Sequence, residues 1–159
     1  MKVTPQNLTL ESFRKYGEYA NLVAPSGPHL GAAPCSFYRD MCLLTLNDPQ
    51  ASFSICQTSP RPPIITELEY HDHCGEGILP LDGDVFVQLA PATPHGKPDA
   101  SQVEVFRVPK GTMLSIRPGV WHGGPYVCGN ETVNVLIVLP ERTYANDCVI
   151  EPTEPIEIL

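Results

Sequence analysis

His71 and His73 form a His-x-His pair. In a strand this spacing points both imidazoles to one side, ~6–7 Å apart, which suits two ligands of one metal ion. Glu76 follows after Cys74-Gly75, where a turn can bring its carboxylate back to the same point. A second block, GTMLSIRPGVWH, runs from Gly111 to His122. The chain thus reads His-x-His-x-x-Glu-x6-Gly, ending at Gly83, and then Gly-x7-Gly-x-x-His, ending at His122. Three imidazoles and a carboxylate make a donor set for zinc, nickel, manganese or iron. The other reading of His71, His73 and His122 is a set of hydrogen-bonding groups in a polar pocket. The remaining histidines, His29 and His95, lie in Pro/Gly-rich loops and read as surface residues.

Short strands must position these groups. Candidate strands are 41–46, 51–57, 64–73, 84–90, 102–108, 112–116 and 132–139, separated by Gly-Pro, Asp-Gly and Pro-Lys-Gly turns. Along 64–73 one face carries Ile64, Thr66, Leu68, Tyr70 and Asp72, and the other Ile65, Glu67, Glu69, His71 and His73. Ahead of the strands, Thr9 to Tyr16 reads as a short helix with Thr9 as N-cap, Leu10 and Phe13 as its apolar face and Gly17 as its stop. Residues 24–36 read as a long loop, and 151–159 as a surface strand or a loose end. Seven or so short strands predict an all-β fold, a sandwich or barrel, with the whole of 1–159 as one domain.

Composition narrows the function. Eighteen prolines recur along the 159 residues and exclude a bundle of long helices. With 42% hydrophobic residues the chain is not disordered. Its net charge of −8 argues against a nucleic-acid partner, so a small anion must be met by a few local cations. No apolar run is long enough for a membrane helix, and the N-terminus has no apolar run of an export signal. The six cysteines form no Cys-x-x-Cys pair and read as reduced thiols, several in the core, of a cytoplasmic chain.

The two histidine blocks resemble the two-part cupin motif, in which two hairpins of a small β-barrel bring His, His, Glu and His to a metal. The first block is one residue shorter than that motif between His73 and Glu76, and Arg117 stands at the usual cupin proline. More of the chain resembles the ureidoglycolate lyases, also called ureidoglycolate hydrolases. The likeness runs through LTLESFRKYGEYANL, ITELEYH (65–71), ILPLDGDVFVQLAPA (78–92), KPDASQVEVF (97–106), GVWH (119–122) and NDCVIE (146–151). Departures from the family pattern fall at Tyr70, His73, Glu76 and Gly123.

The resemblance implies a cupin-like antiparallel β-barrel or jelly roll with a short N-terminal helix. It implies conversion of ureidoglycolate, a small carboxylate, to glyoxylate and urea, and a homodimer. In that reading His71, His73, Glu76 and His122 hold a divalent metal, and Glu69 and His122 are catalytic. Glu69 carries the proton, and Arg117, with Arg39 second, binds the substrate carboxylate beside Trp121. The alternatives are a metal-dependent oxygenase or isomerase on the same barrel, or a barrel that binds a small acid without turning it over.

Overall fold

A computed structural model describes residues 1–159. The larger sheet runs, in spatial order, β1 (Lys2–Val3), β15 (Val149–Ile158), β7 (Ile64–Tyr70), β12 (Trp121–His122), β9 (Val85–Ala90), β10 (Glu104–Val108) and β2 (Gln6–Asn7). A further strand, β13 (Tyr126–Val127), also pairs with β9. The smaller sheet runs β3 (Gly17–Asn21), β11 (Thr112–Ile116), β8 (Glu76–Pro80), β14 (Val133–Pro140) and β6 (Ala51–Thr58). A separate hairpin joins β4 (His29–Ala32) to β5 (Cys35–Tyr38). Two one-turn helices, α1 (Leu10–Phe13) and α2 (Thr143–Asn146), complete the elements that matter here. The all-β expectation holds. Pairing is antiparallel except at β1–β15 and β2–β10, which are parallel.

Side-chain alternation explains how the sheets stack. On β9, Val85, Val87 and Leu89 point into a cluster of 13 buried residues that also takes Ile78, Leu114, Ile116 and Val135 from the smaller sheet. Phe13 and Tyr16, both fully buried, close one side of it, with Phe13 edge-on to Phe106 at 5.4 Å. Burying such a side chain contributes about 1.5–3 kcal/mol. The other face of the larger sheet carries a second cluster, which includes Ile65, Leu68, Ala90, Trp121 and Ile156. Strand β9 is therefore buried on both faces.

Several expectations shift. The helix predicted over 9–16 is the single turn α1. Thr9 does cap it, accepting from the Ser12 amide at 3.1 Å, but Leu10 is 75% exposed. Gly17 stops no helix; it opens β3, where a Cβ would lie 1.8 Å from the Ser115 carbonyl oxygen of β11. Segment 41–46 is irregular, because its backbone bonds go elsewhere: Leu43 N–H donates to Glu18 Oε1, and Leu43 O accepts from Ser115 Oγ. The loop 24–36 contains β4 and the start of β5. The tail is a surface strand rather than a loose end: β15 pairs between β1 and β7 and is mostly exposed, with only Ile156 and Ile158 buried. All six cysteines are unpaired, and only Cys74 is buried. No helix is long and apolar enough to cross a membrane.

Candidate metal centre and cleft

Three side chains from different segments meet at the edge of the first core cluster. His71 follows β7, Glu76 opens β8 and His122 ends β12. All three are buried. Glu76 Oε2 lies 2.9 Å from His71 Nε2 and 3.1 Å from His122 Nε2. One candidate ligand atom from each residue lies within 4.8 Å of the others. The far nitrogens are also fixed: His71 Nδ1 donates to Asp147 O at 2.6 Å, and His122 Nδ1 to Val120 O at 2.9 Å. An Nδ1–H bonded to a carbonyl leaves Nε2 as the ligand atom, which is how metal-binding histidines are oriented.

Electrostatics ties the three together. Burial alone would raise the Glu76 carboxyl, but the charge and hydrogen bonds of His122 and His71 hold it down at about 2. Burial alone would lower His122, but the Glu76 carboxylate, with the Val120 carbonyl and the charge of Glu69, lifts it to about 9. Without metal, His122 and Glu76 thus form an ion pair, with the proton on His122 Nε2 in the place a cation would take. Two imidazoles and one carboxylate on such a locus fit a divalent cation of the zinc, nickel, manganese or iron kind.

Local sequence builds this geometry. Asp147 accepts the amides of Asp72 and His73, each at 2.9 Å, and so ends β7 at Tyr70. Gly75 sits where a Cβ would lie 2.4 Å from Ile116 O, and this close approach lets the chain return Glu76 to His71. Gly119, at φ +79°, donates its amide to His71 O at 2.7 Å and joins the two histidine blocks directly.

The other predicted site residues separate from this centre or only border it. His73 is exposed and turned away, with Nε2 on Asn47 O at 3.0 Å, because the strand has ended three residues earlier. The four-ligand set is therefore corrected to three. Arg117 is exposed and donates to Arg14 O at 2.7 Å, and Arg39 pairs loosely with its neighbour Asp40. Neither lines the cavities beside the centre. Trp121 is buried, set edge-on against Tyr70 and bonded through Nε1 to Thr93 Oγ1, and it lines neither of the two cavities beside the centre. Glu69 borders the centre: it pairs across strands with His122, lines the same cavity as His71 and Glu76, and accepts from Cys148 Sγ at 3.3 Å. Burial and Glu69 push the Cys148 thiol up to about 12, so it remains a protonated donor.

A cavity of about 180 Å³ opens beside His71 and Glu76, walled by Cys56, Ile137 and Leu139. A wider cleft of about 440 Å³ adjoins it through the shared Glu69, Gly123 and Gly124. Its wall includes Arg61, Glu67 and Gln88. Sequence reading missed Arg61, Gln88, Asp147 and Cys148. The available signals were Arg61 stiffened within Pro-Arg-Pro-Pro just ahead of the Glu67/Glu69 strand, and Asp147-Cys148 inside the NDCVIE stretch.

Known proteins resemble this chain along nearly its whole length. The family model described as Ureidoglycolate lyase matches residues 1–158. The ureidoglycolate lyase of Escherichia coli O1:K1 / APEC is 26% identical over 154 residues, covering 95% of this chain and 94% of that protein. The ureidoglycolate lyase of Shigella boydii serotype 18 (strain CDC 3083-94 / BS512) matches with the same identity and coverage. Among solved structures, Bacillus subtilis oxalate decarboxylase with Mn(II) centres aligns with a TM-score of 0.45 at 15% identity. That alignment covers 62% of this chain and 23% of the decarboxylase chain, so this chain spans about a quarter of its length. The family match extends across both sheets and both histidine blocks, and the chain belongs to the ureidoglycolate lyase family.

Proposed function

We propose that this protein cleaves ureidoglycolate to glyoxylate and urea at the His71–Glu76–His122 centre. The observation that carries the reading is the convergence of these three buried side chains beside Glu69, at a cavity, in a chain of this family. The reaction needs no water. The hydroxyl O–H and the C–N bond break, while an aldehyde C=O and a new N–H form.

His71, Glu76 and His122 would hold the divalent cation. When bound, it supplies positive charge to the 2-hydroxyl oxygen as that oxygen loses its proton. Glu69 borders both the inner cavity and the outer cleft. It accepts the hydroxyl proton and returns it to the departing urea nitrogen, acting first as base and then as acid. The Cys148 thiol, bonded to Glu69 Oε2, holds that carboxylate in place. Ile137 and Leu139 give the inner cavity an apolar wall that limits water near the breaking bond.

The test is urea release from ureidoglycolate by protein loaded separately with zinc, nickel, manganese or iron, with allantoate and simple 2-hydroxy acids as controls. Urea from ureidoglycolate supports the reading, and none with any of the four metals rejects it.

We also propose a cytoplasmic homodimer. Strand β6 is an open sheet edge, and Phe53 and Ile55 on it are 71% and 55% exposed. Sedimentation equilibrium tests the assembly, with a monomer at micromolar concentration rejecting it, and cell fractionation tests the compartment.

A further inference from the structure

Arg61 lies between β6 and β7 in the run Ser59-Pro60-Arg61-Pro62-Pro63. Prolines restrict the backbone on both sides of it. Its guanidinium carbon stands 4.0 Å from the centroid of the Tyr126 ring. Nη2 donates to Gly124 O at 2.9 Å, and Nη1 to Thr58 Oγ1 at 3.4 Å. The stack and the two bonds hold the planar group in one orientation, and its remaining N–H donors stay free.

No carboxylate pairs with this cation. The ion pairs formed by lysine and arginine involve Lys2, Lys15, Arg39, Arg107 and Arg142. Arg61 is thus a fixed, unpaired positive charge on the wall of the outer cleft, in a chain of net charge −8. The cleft also exposes Glu67 and Glu69, which repel an anion, so a bound carboxylate needs a cation on that wall. The cleft that Arg61 lines meets the cavity beside His71 and Glu76 at Glu69, Gly123 and Gly124.

A second residue is unsatisfied at the same spot. Gln88 is buried, and its Nε2 donates to Gly124 O at 3.1 Å, the carbonyl that Arg61 also uses. Gln88 Oε1 has no partner. A buried amide oxygen without a donor is costly, and a ligand N–H removes the cost. A ureido group offers N–H donors immediately beside the carbon that bears the carboxylate.

We infer that Arg61 binds the substrate carboxylate through its guanidinium fork, with Gln88 Oε1 receiving a ureido N–H beside it. This assignment rests on the lyase reading of the same site. It replaces Arg117 and Arg39 in the role of anion anchor, and it makes Arg61 the residue that selects a carboxylated ureido compound over one without the carboxylate.

The test compares the parent with R61Q and R61K on ureidoglycolate and on N-(hydroxymethyl)urea, which carries the same hydroxyl and ureido groups but no carboxylate. For R61Q, kcat/KM on ureidoglycolate falls about 10- to 100-fold, the range for a lost charge-assisted fork, while that on N-(hydroxymethyl)urea stays within about twofold. R61K retains charge without the fork and falls between, and it carries the comparison if R61Q does not fold by circular dichroism. Equal losses on both compounds, or no loss on ureidoglycolate, overturn the assignment. Should the parent release no urea at all, the lyase reading fails separately, and calorimetric binding of glyoxylate decides the matter of Arg61. Weaker binding by the same factor in R61Q, or in R61K if R61Q does not fold, upholds the assignment, and unchanged binding overturns it.

Discussion

Glu69 on β7 and His122 on β12 stand directly opposite each other across an antiparallel pair. Opposed side chains on one sheet face lie ~4.5–5.5 Å apart at Cβ. The proposed proton carrier and one proposed ligand are therefore fixed by a single strand register. A slip of one residue would turn Glu69 to the other face, so the register of β7 matters to chemistry as well as to packing.

Loss of a ligand should empty the centre. We expect His122→Ala and Glu76→Gln to bind zinc or manganese at least about 100-fold more weakly than the parent, beyond the 10- to 100-fold typical of outer-shell changes. His73→Ala, whose imidazole bonds to Asn47 O, should keep the parent's metal content. Elemental analysis after dialysis distinguishes these, and a metal loss in His73→Ala would restore the four-ligand arrangement.

Glu69→Gln should retain metal and lose turnover. Removing a positioned proton carrier costs roughly 10²–10⁴-fold in kcat. KM should change little, because Glu69 is not the anion anchor. A kcat within threefold of the parent would take Glu69 out of the proton path.

The metal-free protein should be most stable in mildly acidic solution. His122 is raised from 6.5 to about 9, so its contribution is complete below pH 6.5 and is lost as pH rises through 9. Glu76 is lowered from 4.5 to about 2, so its contribution is complete above pH 4.5 and is lost as pH falls toward 2. The chelated protein should thus show a Tm plateau between these two limits with a decline on each side. In His122→Ala the alkaline decline should shrink. An unchanged alkaline limb would mean that the His122–Glu76 pair does not form.

Core packing gives a test independent of function. Phe13 is fully buried among Tyr16, Tyr19 and Phe106, and Phe13→Ala should destabilise the fold by about 3–5 kcal/mol. Leu10→Ala, on the same turn but largely exposed, should stay within about 0.5 kcal/mol. Urea denaturation of both variants measures the difference.

The sequence made the strands readable where side chains alternate between two environments. Predicted 84–90, 112–116 and 132–139 correspond to Val85–Ala90, Thr112–Ile116 and Val133–Pro140. It misled where a distant partner decides the backbone. Nothing near His73 announces that Asp147 takes its amide and ends the strand, which is why the His-x-His pair divides into one buried and one exposed residue. Gly17 matches a helix stop, but the partner strand's carbonyl is what requires it. His71, Glu76 and His122 were legible because turns at Gly75 and Gly119 preserve their spacing. Arg61 was not, because its Tyr126 stack and Gly124 bond are formed by residues more than 60 positions away.

The position of β15 has a consequence for synthesis. His71 is oriented by Asp147, and β7, which delivers it, pairs along its length with β15. Residues synthesised late therefore complete a centre whose other members emerge far earlier. A nascent chain that has extruded both histidine blocks still lacks the partner that aims His71. Metal capture then follows synthesis of Asp147 and β15, and chains released after residue 146 should retain no metal where chains that extend through Ile158 do.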